Sequence, residues 1–241
     1  MDATRSSAPR AARAIAWLGG AAFVGSLACC AWFIAVALER PVAPLGAGAT
    51  ARAILVDLAL FTLFATHHSA MARPGVKAWI HRHLGSGLER PLYVWTASLL
   101  LALTCLCWQG IPGGLYHVTG AAAWLARVVE AAGVAIIVAA TRVIDPLELA
   151  GIRQLDRPRD PALLQIRGPY RRVRHPLYLG WMLLVFAAPA LTLNRLLFAV
   201  LTSGYLLVAI PWEEASLTRT FGEAYAAYQR QVRWKVLPGV Y

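Results

Sequence analysis

The chain has 241 residues, 59% hydrophobic and only 15% charged, a composition that excludes an ordinary soluble domain. Its formal net charge of +11 does not indicate a nucleic-acid partner, because the basic residues lie in short loops beside apolar runs, where membrane topology explains them. The four cysteines also lie inside apolar runs, which argues against a disulfide framework or a zinc site. An integral membrane protein is therefore predicted.

Six apolar runs follow one another along the chain and are the predicted membrane spans. They lie at about 14–38, 53–67, 91–109, 120–144, 176–192 and 196–212. Runs of this length and polarity cross a bilayer as helices, so the sequence predicts an all-α, polytopic protein with about six transmembrane helices, within a range of five to seven. The second and fifth runs are short, so a tilted or partly re-entrant helix is expected there.

The charges of the intervening segments predict the topology. With the N-terminus inside, the inner segments hold 18 lysines and arginines, whereas the outer loops hold three: Arg40, Arg52 and Arg195. This imbalance places both termini in the cytoplasm. Three regions are predicted: a cytoplasmic tail at 1–13, a four-span membrane region at 14–144 and a C-terminal region at 145–241 with two spans and an amphipathic helix. Arg195 is expected in a tight turn between the last two spans.

Ionisable residues within the predicted spans are functional-site hypotheses by default. Arg127 and Glu130 are three residues apart on one predicted helix, so mutual neutralisation is the simpler interpretation. Asp57 has no partner nearby in sequence, and its role stays open. In the C-terminal tail, Phe221, Tyr225, Tyr228 and Val232 recur with helical spacing and predict one apolar face, against the membrane or folded back over the core.

The segment 168–180 is the most informative stretch. Arg174 offers a forked cation for a carboxylate, and Pro176 suits the first turn of a helix, so Arg174 and His175 are expected at a helix N-terminus that favours anions. Gly180 allows close approach of another backbone or a ligand. The alternative interpretation is a basic membrane anchor with Tyr178 at the interface.

Two adjacent carboxylates, Glu213 and Glu214, end the last apolar run. Adjacent helical residues diverge by about 100°, so one can face the core while the other faces water or an arginine. A cationic ligand or the inner arginines would balance them. A solvated helix end is the simpler alternative.

Three motifs in order resemble the C-terminal half of the isoprenylcysteine carboxyl methyltransferase superfamily. They are Arg174-His175-Pro176-x-Tyr178-x-Gly180, Glu213-Glu214-x-x-Leu217 and Phe221-Gly222-x-x-Tyr225-x-x-Tyr228. The segments at 68–74 and 89–93 resemble the branch that holds bacterial methanethiol S-methyltransferases and NnrU-like proteins. This resemblance implies a bacterial inner-membrane methyltransferase that uses S-adenosylmethionine and a small or lipophilic thiol acceptor.

The resemblance also implies roles for particular residues. Arg174, Glu214 and Arg73 would be catalytic. The cofactor would be bound by Tyr170, Arg174, His175, Pro176, Tyr178, Gly180, Glu213, Glu214, Tyr225 and Tyr228. The acceptor would be bound by His68, Arg73, Glu89 and Arg90, although interfacial histidines with a structural ion pair would look the same in sequence. No metal is expected, because the histidines at 67, 68, 81 and 83 lack metal-site spacing.

Three alternatives to a thiol methyltransferase follow from the same motifs. A prenylcysteine or phospholipid acceptor would keep the reaction type. A non-catalytic NnrU-type accessory protein of nitrogen-oxide metabolism would keep the scaffold without the activity. A membrane reductase of the sterol-reductase kind would need a nicotinamide cofactor, for which the sequence carries no additional phosphate-binding pattern.

Overall fold

The computed structural model describes residues 10–84, 89–144 and 164–241, and these ranges are almost entirely helical. The helices are α1 (Arg10–Trp32, continuing as a π-helical turn at Phe33–Ala37), α2 (Ala47–Met71), α3 (Pro74–Leu84), α4 (Glu89–Cys107), α5 (Gly120–Ile144), α6 (Pro176–Phe186), α7 (Leu193–Phe221) and α8 (Glu223–Gln231). A 3₁₀ turn covers Gly168–Arg171. Strands β1 (Gly114–His117) and β2 (Ala190–Thr192) form an antiparallel pair.

Five of the helices are long and apolar enough to cross a membrane. These spans are Ala14–Ala37, Ala47–Met71, Glu89–Cys107, Gly120–Ile144 and Leu193–Phe221. The prediction of an all-α, multi-pass membrane protein is confirmed. The fifth predicted span is a helix of only 11 residues, α6, because the chain leaves the helix at Ala187 and continues through Pro189 into β2.

Helix α5 shows how the spans divide their surfaces between lipid and protein. Its large apolar side chains Trp124, Leu125 and Val128 are exposed, whereas Glu130 and Gly133 are buried. In a bilayer, apolar side chains gain nothing by leaving the lipid, so helix contacts use small residues and paired polar ones. The buried side of α5 therefore faces protein.

The described residues cluster into two compact units. The first comprises 10–35, 51–84 and 89–109, and the second comprises 36–50, 110–144 and 164–241. In the first unit α1 packs on α4, and Asp57 of α2 accepts a hydrogen bond of 2.7 Å from the backbone N–H of Gln109. Asp57 is fully buried, so this contact supplies a partner that the sequence did not reveal.

In the second unit α6 packs against α5 and α7. Helix α7 begins at Leu193 and is capped by Thr192, whose Oγ1 accepts a hydrogen bond of 2.9 Å from the N–H of Arg195. The prediction of a tight loop turn at 193–195 is therefore wrong, because these residues are the first residues of helix α7. At the other end Gly222 has a φ of 53°, which separates α7 from α8.

The C-terminal segment folds back onto the second unit. Tyr225, Tyr228 and Val232 form a buried cluster, against which Leu164, Leu217 and Phe221 pack. The predicted apolar face is confirmed, and it covers protein. Beyond α8, the carbonyl oxygens of Trp234 and Lys235 accept hydrogen bonds from the N–H groups of Arg174 and His175, at 3.0 and 2.8 Å. These bonds hold the start of α6 against the tail.

Candidate functional site

Arg174 and Glu214 form a nearly enclosed ion pair in the second unit. The Nε of Arg174 donates to Oε1 of Glu214 at 2.7 Å, and the two side chains are only 7% and 13% exposed. The Nη1 of Arg174 also donates to the carbonyl oxygens of Val232 and Arg233, both at 2.8 Å. One guanidinium therefore joins the segment before α6, helix α7 and the tail beyond α8.

His175 precedes α6 and lies between the two adjacent carboxylates. Its Nε2 is 3.3 Å from Oε1 of Glu214, and its Nδ1 is 3.3 Å from Oε2 of Glu213. A carboxylate can only accept, so both contacts are hydrogen bonds only when both ring nitrogens carry a proton. Burial of the ring opposes this charged form, but the hydrogen bonds to Glu213 and Glu214 outweigh it and raise the pKa of His175. When His175 is protonated, the cluster combines two cations with two carboxylates.

The raised pKa of His175 predicts that stability falls as the pH rises. Such a group stabilises the fold fully below its unfolded pKa, near 6.5, and this contribution is lost as the pH rises through the folded pKa. Thermal denaturation of the purified protein and of His175→Gln should differ by about 1–2 kcal/mol below the unfolded pKa and converge above the folded one. A difference that stays constant with pH would contradict a charged His175.

Tyr225 and Tyr228 lie beside this cluster and differ in how their hydroxyl groups are used. The hydroxyl of Tyr228 donates to the carbonyl oxygen of Tyr170 at 2.7 Å. Tyr225 is only 1% exposed, and its hydroxyl has no hydrogen-bond partner in the described parts of the chain. Burial raises the pKa of Tyr225 and raises that of Tyr228 to about 12, so both stay protonated at neutral pH. The hydroxyl of Tyr225 is therefore a buried, protonated group that the described residues leave without a hydrogen bond.

The remaining residues of the first motif lie on α6. Pro176 occupies the start of the helix, as predicted, because its missing N–H would have no partner there. Tyr178 stacks on His175, with ring centroids 5.1 Å apart. Gly180 is buried against another backbone, that of Gly133 in α5.

A cavity of about 450 Å³ lies beside the tail segment that Arg174 binds. It is bounded in part by Val232, whose carbonyl oxygen also accepts from Arg174. Two arginines and two glutamines supply polar groups to its wall. The described residues that line it are Leu164, Gln165, Ile166, Arg167, Arg171, Gln231 and Val232.

In the first unit, His68 and Arg90 meet at one tyrosine. The hydroxyl of Tyr93 lies 2.9 Å from Nδ1 of His68, and the guanidinium of Arg90 lies 5.2 Å from the centre of the Tyr93 ring. The end of α2 and the start of α4 are joined in this way. Two of the four predicted acceptor residues are thus held by a shared neighbour.

The other two predicted acceptor residues lie in different surroundings. Glu89 is buried and pairs with His81, and its Oε1 lies 3.7 Å from Nζ of Lys77. These contacts join α3 to the start of α4. Arg73 is exposed in the turn between α2 and α3, where its carbonyl oxygen accepts from the N–H of Lys77. Glu89 therefore contacts residues of α3, whereas Arg90 contacts Tyr93 of its own helix.

A second charged cluster lies at the other end of α7. Arg127 donates to Glu130 at 2.8 Å, which confirms the predicted pair, and its two terminal nitrogens also bind both oxygens of Glu39. Arg195, expected in an outer loop, is fully buried and contacts Glu39 and Glu130 at 3.0 and 2.5 Å. Glu214 follows 19 residues later in α7, a rise of about 28 Å.

The sequence missed several groups that complete the first cluster. Gln229 donates to Oε2 of Glu214 at 3.2 Å. Gln229 lies four residues after Tyr225 and therefore on the same face of α8, so this spacing could have predicted that it faces the cluster. The carbonyl oxygens of Val232 and Arg233 have no such signal, because any residue type provides one.

Comparison with known proteins gives several extended similarities. The chain is 42% identical over 185 residues to methanethiol S-methyltransferase 2 of Bradyrhizobium diazoefficiens, covering 75% of this chain and 71% of the relative. It is 39% identical over 193 residues to methanethiol S-methyltransferase of Pseudomonas sp. (strain GM41(2012)), covering 75% and 72%. Rat Nurim is 32% identical over 170 residues, covering 64% and 63%. No protein-family model and no solved structure matches the chain.

Proposed function

The chain belongs to the methanethiol S-methyltransferase family and is therefore a membrane methyltransferase; we propose that its donor is S-adenosylmethionine and its acceptor methanethiol or a closely similar small thiol. When bound, S-adenosylmethionine supplies an activated methyl group on a positively charged sulfur. The observation that carries this proposal is the cluster of Arg174, His175, Glu213 and Glu214 beside the unpartnered hydroxyl of Tyr225.

The residues of the cluster fit the chemical groups of this cofactor. Its amino-acid part carries one carboxylate and one ammonium group, and the cluster offers both signs of charge. Arg174 retains Nη2, which makes no hydrogen bond to the described residues, and the side chain of Glu213 is 50% exposed. The cavity lined by Arg167 and Arg171 gives room for a nucleoside. The donor set supports a zwitterionic ligand.

We assign the binding roles on this basis. Arg174 binds the carboxylate through its free nitrogen, since a guanidinium forms strong charge-assisted hydrogen bonds. Glu213 faces the ammonium group. Glu214, already bonded to Arg174, His175 and Gln229, orients the two cations.

The tyrosines and the motif helix form the rest of the proposed binding region. Tyr178 and Tyr225 present aromatic faces, which favour a cationic sulfur. Tyr228 holds the backbone of Tyr170 in place. Pro176 starts α6, and Gly180 lets this helix pack closely against α5. The catalytic contribution of these residues is alignment and exclusion of water, because displacement at a methyl carbon depends on orientation more than on a strong base.

The acceptor residues proposed in the first unit are His68, Arg73, Glu89 and Arg90. A thiol reacts as its thiolate, so the acceptor must lose its proton, and a nearby cation favours that loss. We assign this part to Arg73, the exposed arginine of the α2–α3 turn. The His68–Tyr93–Arg90 group would bind a small apolar thiol.

We further propose that the protein lies in a bacterial inner membrane with both termini in the cytoplasm. The excess of lysine and arginine in alternate polar segments supports this orientation. The region 145–241 would then hold the cofactor site on the cytoplasmic side, after a membrane region at 14–144 and a tail at 1–13. S-adenosylmethionine is a polar ligand, and a cytoplasmic site gives it direct access.

The direct test is methyl transfer by the detergent-purified protein. With methyl-labelled S-adenosylmethionine and methanethiol, we expect labelled dimethyl sulfide in the headspace. Ethanethiol should react more slowly, whereas a farnesylated cysteine analogue should not react. No labelled thioether from a folded protein would contradict the proposal, and labelling of the farnesylated analogue would replace the small thiol with a prenylcysteine acceptor.

Two single-oxygen variants make the cofactor assignment specific. Tyr225→Phe removes a hydroxyl without a protein partner, so we expect the KM for S-adenosylmethionine to rise about tenfold with no loss of thermal stability. Tyr228→Phe removes the hydrogen bond to Tyr170, so we expect a lower melting temperature and a smaller rise in KM than Tyr225→Phe causes. The opposite pattern would show that Tyr225 does not face the cofactor.

A further inference from the structure

The contact between α5 and α6 in the second unit is made by backbone against backbone. A Cβ atom built on Gly133 would lie 2.6 Å from the carbonyl oxygen of Gly180 and 2.9 Å from the N of Leu184. A Cβ built on Gly180 would lie 2.7 Å from the carbonyl oxygen of Gly133. Separations below 3.0 Å do not occur for real Cβ atoms, and backbone atoms cannot rotate away. A side chain at either position would therefore clash with the backbone at the other position.

The requirement is one of space, because neither glycine has a positive φ. Both are buried within regular helices. Glycine destabilises an ordinary helix relative to alanine, so its use here needs a compensating contact. Close backbone approach through glycine is a common way for membrane helices to associate. This contact supplies a steric explanation for the glycine of the first motif.

The position of α6 decides where Arg174 and His175 lie. Gly180 is five residues after His175, about one and a half helical turns. At its other end α6 is held by Arg195, whose Nη2 and Nε donate to the carbonyl oxygens of Leu184 and Val185 at 2.8 and 3.0 Å. Extra atoms at the α5–α6 contact must therefore displace a helix that α7 already holds at both ends.

We propose that Gly133 is a positioning residue for the cofactor site. It lets α6 approach α5 closely enough for Arg174 and His175 to meet Glu213 and Glu214. The inference rests on the proposed function, since it concerns the same cofactor. Gly133 lies on α5 and contacts α6 through the backbone, so its substitution separates positioning from direct ligand contact.

The test compares Gly133→Ala with Gly204→Ala in the full-length, detergent-purified protein. Gly204 is an exposed glycine of α7, and none of the described residues has an atom within 4 Å of its would-be Cβ, so it receives the same methyl group without a clash against them. The readouts are the Kd for S-adenosylhomocysteine by calorimetry, kcat/KM and the melting temperature. Misplacement by about 1 Å can cost 100-fold, so we expect Gly133→Ala to lose about 10- to 100-fold in kcat/KM and to bind more weakly. Gly204→Ala should stay within about twofold.

Each outcome has a distinct meaning. A folded Gly133→Ala that melts earlier but keeps the wild-type Kd would overturn the inference and leave Gly133 a purely structural role. No binding by the wild-type protein would instead contradict the proposed cofactor.

If Gly133→Ala does not fold, Ile137→Ala replaces it, because that side chain packs on Gly180 and its removal inserts no atoms. An unchanged Kd in Ile137→Ala would equally overturn the proposal, and we expect a rise of about threefold.

Discussion

Arg174→Ala is expected to abolish measurable binding of S-adenosylmethionine. The variant removes the cation proposed to bind the cofactor carboxylate and leaves Glu214 without its closest partner, at 2.7 Å. It also releases the carbonyl oxygens of Val232 and Arg233. Each hydrogen bond to a charged group contributes about 1.5–3 kcal/mol. Loss of the contact to the cofactor carboxylate, together with loss of the bond that orients Glu214, should therefore weaken binding more than 100-fold in Kd. Calorimetry with S-adenosylmethionine and S-adenosylhomocysteine measures this directly.

Two further variants make the Arg174 experiment specific. Arg172→Ala removes the same residue type from an exposed neighbouring position and should leave binding unchanged. Arg174→Lys keeps the charge but not the forked geometry, so intermediate binding is expected. Normal binding by a folded Arg174→Ala would move the cofactor site away from the start of α6.

Among the substitutions proposed for this protein, Arg195→Met is expected to lower the free energy of unfolding the most. Arg195 is fully buried and donates to Glu39, to Glu130 and to two carbonyl oxygens of α6. Removing one member of a buried ion pair leaves an uncompensated charge, which costs about 3–5 kcal/mol. Thermal denaturation in detergent should therefore show a markedly lower melting temperature. A melting temperature equal to that of the wild-type protein would contradict a stabilising role for this cluster.

The same cluster offers its own control variants. Arg127 binds the same two glutamates, but its side chain is 45% exposed, so Arg127→Met should cost less than Arg195→Met. Adding Glu130→Gln to Arg195→Met removes the carboxylate left unbalanced, so part of the lost stability should return. A fully additive loss in the double variant would show that Arg195 and Glu130 act independently.

The sequence predicts the motif region well because local chemistry decides it. Proline is favoured in the first turn of a helix, where a backbone N–H would have no partner within the helix. Pro176 therefore marks the start of α6, and the residues just before it lie at the N-terminus of that helix. The spacing of Tyr225 and Tyr228 likewise fixes which face of α8 is buried. Charge and hydropathy alone also predict the multi-pass helical architecture.

The parts that the sequence does not predict depend on contacts between distant segments. Arg195 looks like a loop arginine because its partners, Glu39 and Glu130, lie 156 and 65 positions away. Gly133 carries no sequence signal, since its reason is the backbone of Gly180 on another helix. The bond between Asp57 and the N–H of Gln109 is of the same kind. Periodicity identifies a helix face but not what covers it.

The tail beyond α8 meets the start of α6 through its main chain. The carbonyl oxygens of four consecutive residues, 232–235, accept hydrogen bonds from the side chain of Arg174 and from the N–H groups of Arg174 and His175. Alanine scanning leaves every one of these acceptors in place, so it would not detect these hydrogen bonds, whereas a deletion would remove them. In evolution, the amino acids at these four positions are free of this constraint, whereas an insertion or deletion that shifts the path of the chain is not.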